Sequence, residues 1–173
     1  VAVAALTTVG FFTSRIDRAI QDHAAEILAA DLRIKAPRPL ADAYLAEARR
    51  NGLAAARTVS LPTVVFHGEA SSLVSLYAVS EGYPLRGRIR VAAAPFAPAS
   101  PIDALPGRGE AWAEARLMAV LGARVGDRIS LGATELRLTR VLDYRPDQGS
   151  TFVDLAAGLL MRIDDLPATE LLQ

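Results

Sequence analysis

The feature that most restricts the fold of this 173-residue chain is its apolar, uncharged opening. Residues 1–12, VAVAALTTVGFF, carry no charged side chain, and the first charge is on Arg15. This run is shorter than the roughly 20 apolar residues that a membrane-spanning helix needs. Two interpretations stay open: a buried N-terminal helix, or the outer end of a transmembrane helix with Phe11 and Phe12 at the membrane interface.

An amphipathic pattern follows this opening. Apolar residues and one histidine recur at steps of three and four, as on one face of a helix: Ile16, Ala19, Ile20, His23, Ala24, Ile27 and Leu28. A continuous helix over residues 4–30 would be about 40 Å long at 1.5 Å per residue. We therefore expect a long N-terminal helix that leaves a bilayer and enters a domain in water. At the other end, Leu171–Gln173 give no stop signal, and we expect the natural chain to continue.

The middle of the chain predicts short helices and strands, turns at 67–69 and 132–133, and a loop at 146–149. Helices are expected at 41–51 and 114–121, each followed by a glycine. Strands are expected at 31–35, 56–66, 73–80, 85–91, 128–131, 136–142 and 159–163. Asp164 is predicted to cap a last helical turn, and Pro62 predicts an edge position or a bulge in its strand. This order of elements favours an α+β fold with mainly antiparallel pairing.

Composition and motifs narrow the classes of function. Nineteen Lys and Arg balance nineteen Asp and Glu, so the overall basic excess typical of nucleic-acid binders is missing. The absence of cysteine excludes disulfides, thiolate nucleophiles and cysteine–zinc sites. The sequence also lacks a P-loop and a G-x-S-x-G nucleophile elbow. We therefore expect no catalytic residue, resident cofactor or metal.

Two groups of residues are nevertheless candidates for a catalytic or a binding role. His67 is close in sequence to Ser71 and Ser72, so a serine hydrolase site stays open as the alternative. Arg86, Arg88 and Arg90 are expected on one face of a strand. That face is either a docking surface for acidic groups or lipid headgroups, or a solvated face balanced by acids elsewhere. Phe11 and Phe12 are candidates for lipid contact.

Several stretches together resemble the extracytoplasmic domain of ABC transporter permeases of the FtsX-like/MacB-like class. The resemblance is to the branch associated with lysophospholipase or acyl-hydrolase export. The stretches are the apolar opening with RIDRAI (15–20), then AADLRI (29–34), AVSEGYPLRG (78–87), LGARVGDRISLG (121–132) and DDLPAT (164–169). The GYPLRG and LG-x-x-VGD-x-I-x-LG blocks carry the most weight, and the stretches extend over most of the chain.

The resemblance implies a permease of the bacterial inner membrane with this chain on the periplasmic side. Residues 1–12 would end the first transmembrane helix, 13–94 would form a porter-like α+β part, 95–145 a smaller β-rich lobe, and 146–173 the return to the porter-like part. The resemblance also implies a permease dimer, a separate cytoplasmic ATP-binding subunit, and export of a hydrophobic or lipid-like substrate or a partner protein. The alternative is a free-standing periplasmic ligand-binding protein or Ser/His hydrolase.

Overall fold

The computed structural model describes residues 28–38, 40–148 and 156–172. Two α-helices lie in these residues: α1, Asp42–Arg50, and α2, Ala115–Leu121. Eight strands accompany them: β1 Thr58–His67, β2 Ala70–Val79, β3 Ile89–Ala92, β4 Ser100–Ile102, β5 Glu110–Glu114, β6 Arg128–Leu131, β7 Thr134–Tyr144 and β8 Ala157–Arg162. Two single 3₁₀ turns follow at Ile163–Asp165 and Pro167–Thr169.

The strands form one sheet that closes on itself. Their order is β4-β3-β7-β5-β8-β2-β1-β6, and β6 also pairs with β7. Six strands therefore make a closed barrel, while β3 and β4 extend the sheet outward from β7. The β2–β8 and β5–β7 pairs are parallel, and the other pairs are antiparallel.

The α+β expectation is therefore wrong, because the described residues are mostly strand and are built around a barrel. Most of the expected long N-terminal helix lies outside the described residues. At its predicted end, Ala29 has a φ of +56°, which a right-handed helix does not allow. The division at residues 95 and 145 stays a prediction; strands from both sides of these boundaries are hydrogen-bonded within the one sheet.

Side-chain alternation separates the inside of the barrel from its outside. On β2, Val74, Leu76 and Ala78 belong to the buried interior cluster, whereas Tyr77 and Val79 belong to a second cluster on the outer face. Strands β5 and β8 alternate in the same way, with Ala111, Ala113, Leu159 and Met161 inside and Trp112 and Leu160 outside. Helix α2 adds Leu117, Met118 and Leu121 to the interior, and it ends at Gly122 with a left-handed φ of +61°.

The outer cluster is covered by loops and by the start of the described chain. Its strand residues come from β2, β3, β5, β7 and β8. Ala29 and Tyr83 pack onto them from outside the sheet, together with the half-buried Ala56 and Leu105, and Ile102 of β4 is half-buried against the same cluster. The barrel is thus buried on both faces along this arc, and the residues that cover it include the segment by which the chain enters.

Local signals predict the hairpins and helices well. The turn at Gly68 joins β1 to β2, and α1 and α2 occupy the two expected helical segments. Pro62 lies where β1, among the described residues, pairs with β2 alone, which confirms the predicted edge position. The turn at Gly132 is also as predicted, and it is held by the C-terminal turns: the Ala133 amide donates to the Thr169 carbonyl at 2.9 Å.

Other predictions were wrong. Residues 31–35 form no strand, and their apolar side chains, Leu32 and Ile34, face water. The predicted strand 85–91 is reduced to Ile89–Ala92, and β5 was missed. Asp164 makes no capping hydrogen bond, since it lies inside the Ile163–Asp165 turn.

Candidate functional site

The three predicted arginines do not share one strand face. Arg86 and Arg88 precede β3, and each of the three faces a carboxylate of the same chain. Arg88 lies 3.4 Å from Asp103 and Arg90 lies 3.6 Å from Asp143, measured from Nε to Oδ. Contact with lipid or a partner stays a prediction for them. Phe11 and Phe12 lie outside the described residues.

Arg86 makes the best-formed of these ion pairs. Its Nε donates to Asp31 Oδ1 at 2.8 Å, and its Nη2 donates to Asp31 Oδ2 at 2.7 Å. This two-pronged geometry fits the planar guanidinium fork to the carboxylate. The hydrogen bonds from Arg86 hold the pKa of Asp31 below its usual range, although both side chains are more than half exposed. The pair therefore orients residue 31 relative to residue 86, and it does not bury a charge.

A main-chain contact at Ala29, two residues before Asp31, reinforces this ion pair. The carbonyl of the buried Ala29 accepts hydrogen bonds from the amides of Leu85 at 2.9 Å and Arg86 at 3.0 Å. The left-handed conformation of Ala29 is unusual for a residue with a Cβ. The turn over residues 83–86 thus binds both the main chain and a side chain of the entering segment.

A buried charged cluster lies beside this turn, around Asp147. Tyr83 donates its hydroxyl proton to Asp147 Oδ1 at 2.6 Å, and Arg145 forms a short ion pair with the same oxygen. Arg33 Nη1 lies 3.5 Å from Asp147 Oδ2. Only 2% of Arg145 and 4% of Asp147 are exposed to solvent, so their charges rely on each other and on neighbouring polar groups.

Two members of this cluster, Tyr83 and Arg145, have shifted pKa values. Burial, the negative charge of Asp147 and the hydrogen bond to it raise the pKa of Tyr83 far above its usual value. Burial is the largest influence on the pKa of Arg145 and lowers it, but the charge of Asp147 together with Tyr77 and Tyr83 outweighs burial, so the pKa is raised. The Arg145 guanidinium also stacks on Tyr77, 3.3 Å from the ring centroid. These contacts hold Tyr83 as a neutral phenol and Arg145 as a cation at neutral pH.

A cleft of about 300 Å³ opens next to the same turn. Tyr83, Arg88 and Arg162 contribute to its lining. Its two arginines are paired, Arg88 with Asp103 and Arg162 with Asp164 at 3.3 Å. Both arginines of the cleft are therefore paired within the chain.

His67 is directed away from the hydrolase arrangement that the sequence left open. Its Nδ1 donates to the Leu121 carbonyl at 3.0 Å, and its Nε2 lies 3.7 Å from Asp127 Oδ2. Ser71 pairs with Phe66 on the strand face opposite to that of His67, and Ser72 donates to the Leu73 carbonyl. The geometry gives no nucleophile and base within hydrogen-bond reach at this hairpin. His23 lies outside the described residues.

The residues that the sequence missed are Asp31, Arg33, Tyr83, Arg145 and Asp147. Residues 146–149 were predicted as a loop, and charged loop residues are normally solvated. The one local signal was the GYPLRG block (82–87), which contains Tyr83 and Arg86. That signal identified the segment without its partners, because those partners lie far away in sequence.

Neither a metal-binding cluster nor a membrane-spanning helix occurs in the described part of the chain. No group of three or more His, Asp or Glu side chains there is arranged to hold a metal ion. None of the helices in that part has the length and apolar character required to cross a bilayer.

Comparison with known proteins identifies a distant relative. Over 172 residues, 99% of this chain, it is 27% identical to YbbP, an uncharacterized ABC transporter permease of Escherichia coli strain K12. The chain spans only 20% of the length of that relative. No protein-family profile matches the chain. Nearly the whole chain is therefore similar to one part of a transporter permease, which is a transporter rather than an enzyme.

Proposed function

We propose that this chain is the periplasmic domain of a bacterial ABC transporter permease of the FtsX-like/MacB-like class. The observation that carries the proposal is the similarity to a permease over 99% of the chain. The GYPLRG block (82–87) and the LG-x-x-VGD-x-I-x-LG block (121–132) support the FtsX-like/MacB-like class, because both resemble sequences of that class. In this proposal residues 1–12 are the outer end of a transmembrane segment.

The domain has a mechanical and binding role in this proposal. A separate cytoplasmic ATP-binding subunit hydrolyses ATP, the permease works as a dimer, and this domain couples the resulting motion to export or release of a hydrophobic, lipid-like substrate or a partner protein. A closed barrel suits such a role, since close-packed interiors transmit displacement rather than absorb it. Arg88 and Arg90, each about half exposed or more, are the proposed contacts for acidic groups or lipid headgroups, together with Phe11 and Phe12.

The experiment that tests the location uses the absence of cysteine from this chain. Glu69→Cys places one thiol at the exposed tip of the β1–β2 hairpin. In cells with a permeabilised outer membrane, a membrane-impermeant maleimide should label this variant while the inner membrane is intact. Labelling only after lysis of the inner membrane would contradict the periplasmic assignment. A cysteine on the cytoplasmic ATP-binding subunit is the control that reports leakage.

The transporter role has its own test. The intact protein should co-purify with an ATP-binding subunit, and the ATPase rate of that complex in lipid nanodiscs should exceed the rate of the isolated subunit. A protein that captures no ATP-binding subunit and hydrolyses p-nitrophenyl esters through His67 would support the hydrolase alternative instead.

A further inference from the structure

Three different contacts hold residues 29–33 against the barrel at one place. The Ala29 carbonyl binds the amides of the 83–86 turn, Asp31 binds the Arg86 side chain, and Arg33 reaches Asp147. Alternate side chains of the segment thus face the barrel. Leu32, between two of them, is 77% exposed, so apart from the buried Ala29 the segment is held by polar contacts.

The chain that follows is attached far more loosely. Helix α1 contributes no buried residue. The contacts that hold its start are polar: the Arg57 side chain binds Asp42 at 2.7 Å and the Leu40 carbonyl at 3.4 Å. Force that arrives through the start of the described chain therefore reaches the barrel first at residues 29–33.

Two of the contacts at residues 29–33 can be broken without opening the interior and without leaving a buried charge alone. Exposed ion pairs contribute little to stability, so breaking Asp31–Arg86 leaves the interior intact. Asp147 keeps Tyr83 and Arg145 as buried partners when Arg33 leaves, so its charge is not stranded. The segment can accordingly detach while the barrel stays folded.

We infer that residues 29–33 and the 83–86 turn form a releasable joint, through which movement of the entering chain reaches the barrel, with the Asp31–Arg86 pair as its latch. The mechanical half of this inference rests on the proposed function. The structural half, a segment that detaches without unfolding the barrel, stands independently of it.

A charge-reversal series tests the latch. Asp31→Arg places two cations together, Arg86→Asp places two acids together, and the double variant D31R/R86D restores a pair of opposite polarity. Arg88→Asp is the matched control, because it makes the same substitution two residues away, against Asp103 rather than the entering segment. All variants are made in the intact protein with its ATP-binding subunit, in lipid nanodiscs.

The first measurement is hydrogen exchange of the amides at positions 85 and 86, which bind the Ala29 carbonyl. We expect exchange about tenfold faster or more in each single reversal, recovery in the double variant, and no change in R88D. Exchange of the β2 and β5 amides should be the same throughout, which excludes unfolding. Unchanged exchange in D31R and R86D, or no recovery in the double variant, would overturn the joint.

The second measurement is the ATPase rate of the same complexes. Each single reversal should change the rate at least twofold, and the double variant should return it to the wild-type value. If exchange follows the expected pattern while the ATPase rate is constant, the joint is real and its mechanical role is refuted. If wild-type protein has no ATP-binding subunit at all, the proposed function fails, and the exchange result still decides whether the latch exists.

Discussion

The inside of the barrel and the charged cluster beside the joint are both buried, but their side chains differ in kind. The interior is aliphatic, with side chains such as Leu76, Leu136 and Met161 contributed by distant strands and by α2. The cluster consists of Arg145, Asp147 and Tyr83, and it lies beside the exposed Asp31–Arg86 pair of the joint. Apolar packing has no directional requirement, whereas each charged contact needs a named partner in a set geometry.

The two regions therefore contribute different properties to the structure. Removing a methyl group from the interior leaves a cavity, and every strand that lines the cavity loses packing contacts. Removing Asp147 or Arg145 leaves a buried charge without its partner, and breaking the joint frees residues 29–33. The interior thus supplies rigidity, and the joint determines how the entering chain is held.

The largest effect is expected inside the barrel. Leu76→Ala leaves a cavity among fully buried neighbours and should lower the free energy of unfolding by about 2–5 kcal/mol. Urea denaturation of the chain measures this change. Leu73→Ala is the control on the same strand, since Leu73 is 58% exposed, and it should change stability by less than about 1 kcal/mol. Equal losses for both variants would mean that the interior is not closely packed.

The next largest effect is expected at the buried charge. Asp147→Asn keeps the shape but leaves Arg145 without its carboxylate, and it should destabilise the chain by about 3 kcal/mol. Asp103→Asn, in an exposed ion pair, is the matched control. Urea denaturation measures the effect on the barrel, and hydrogen exchange of residues 29–33 measures the effect on the joint. If D147N lowers the free energy of unfolding no more than D103N does, the cluster is solvated.

An alkaline pH dependence should come from the same cluster. The folded state raises the pKa of Tyr83 above its ordinary value of about 10, so its contribution is complete below pH 10 and declines as the pH rises further. The expected slope is up to about 1.4 kcal/mol per pH unit for one proton. Tyr83→Phe should remove this slope in unfolding curves from pH 9 to 11.5, whereas Tyr44→Phe, at an exposed position, should keep it. The same slope in both variants would refute the assignment to Tyr83.

The smallest effect is expected at the rim of the joint. Arg88→Ala removes an exposed ion pair with Asp103 and should change the free energy of unfolding by less than about 0.5 kcal/mol. Thermal unfolding at low and high salt measures it, and the difference from wild type should shrink as salt screens the pair. A loss of more than about 1 kcal/mol would extend the structural joint to Arg88.

The sequence predicted elements whose signals are local. Gly52 and Gly122 marked the ends of the two helices, and Gly68 and Gly132 marked the two hairpin turns. Each signal works because a left-handed residue suits glycine wherever the chain reverses or a helix ends. Strand β5 was missed because its sequence, EAWAE, has neither β-branched residues nor a period of two.

The closure of the barrel could not be predicted in the same way. It depends on the parallel pairs β2–β8 and β5–β7, which join segments separated by long stretches of chain. The candidate site had the same difficulty: Arg86 was singled out, but its partner Asp31 stands 55 positions away, and Tyr83 and Asp147 stand 64 apart. A sequence pattern contains no information on which distant carboxylate an arginine meets.

The sequence by itself determined the turns, the two helices, the alternating strands and the absence of cysteine chemistry, since these depend on backbone preferences and side-chain type over a few neighbouring residues. Only the tertiary structure decided that the strands close into a barrel, that Leu32 and Ile34 face water while Arg33 turns inward, and that a charged loop becomes a buried cluster. Burial is a property of the whole packed molecule. A charge stays in the interior only where folding brings partners to it from elsewhere in the chain.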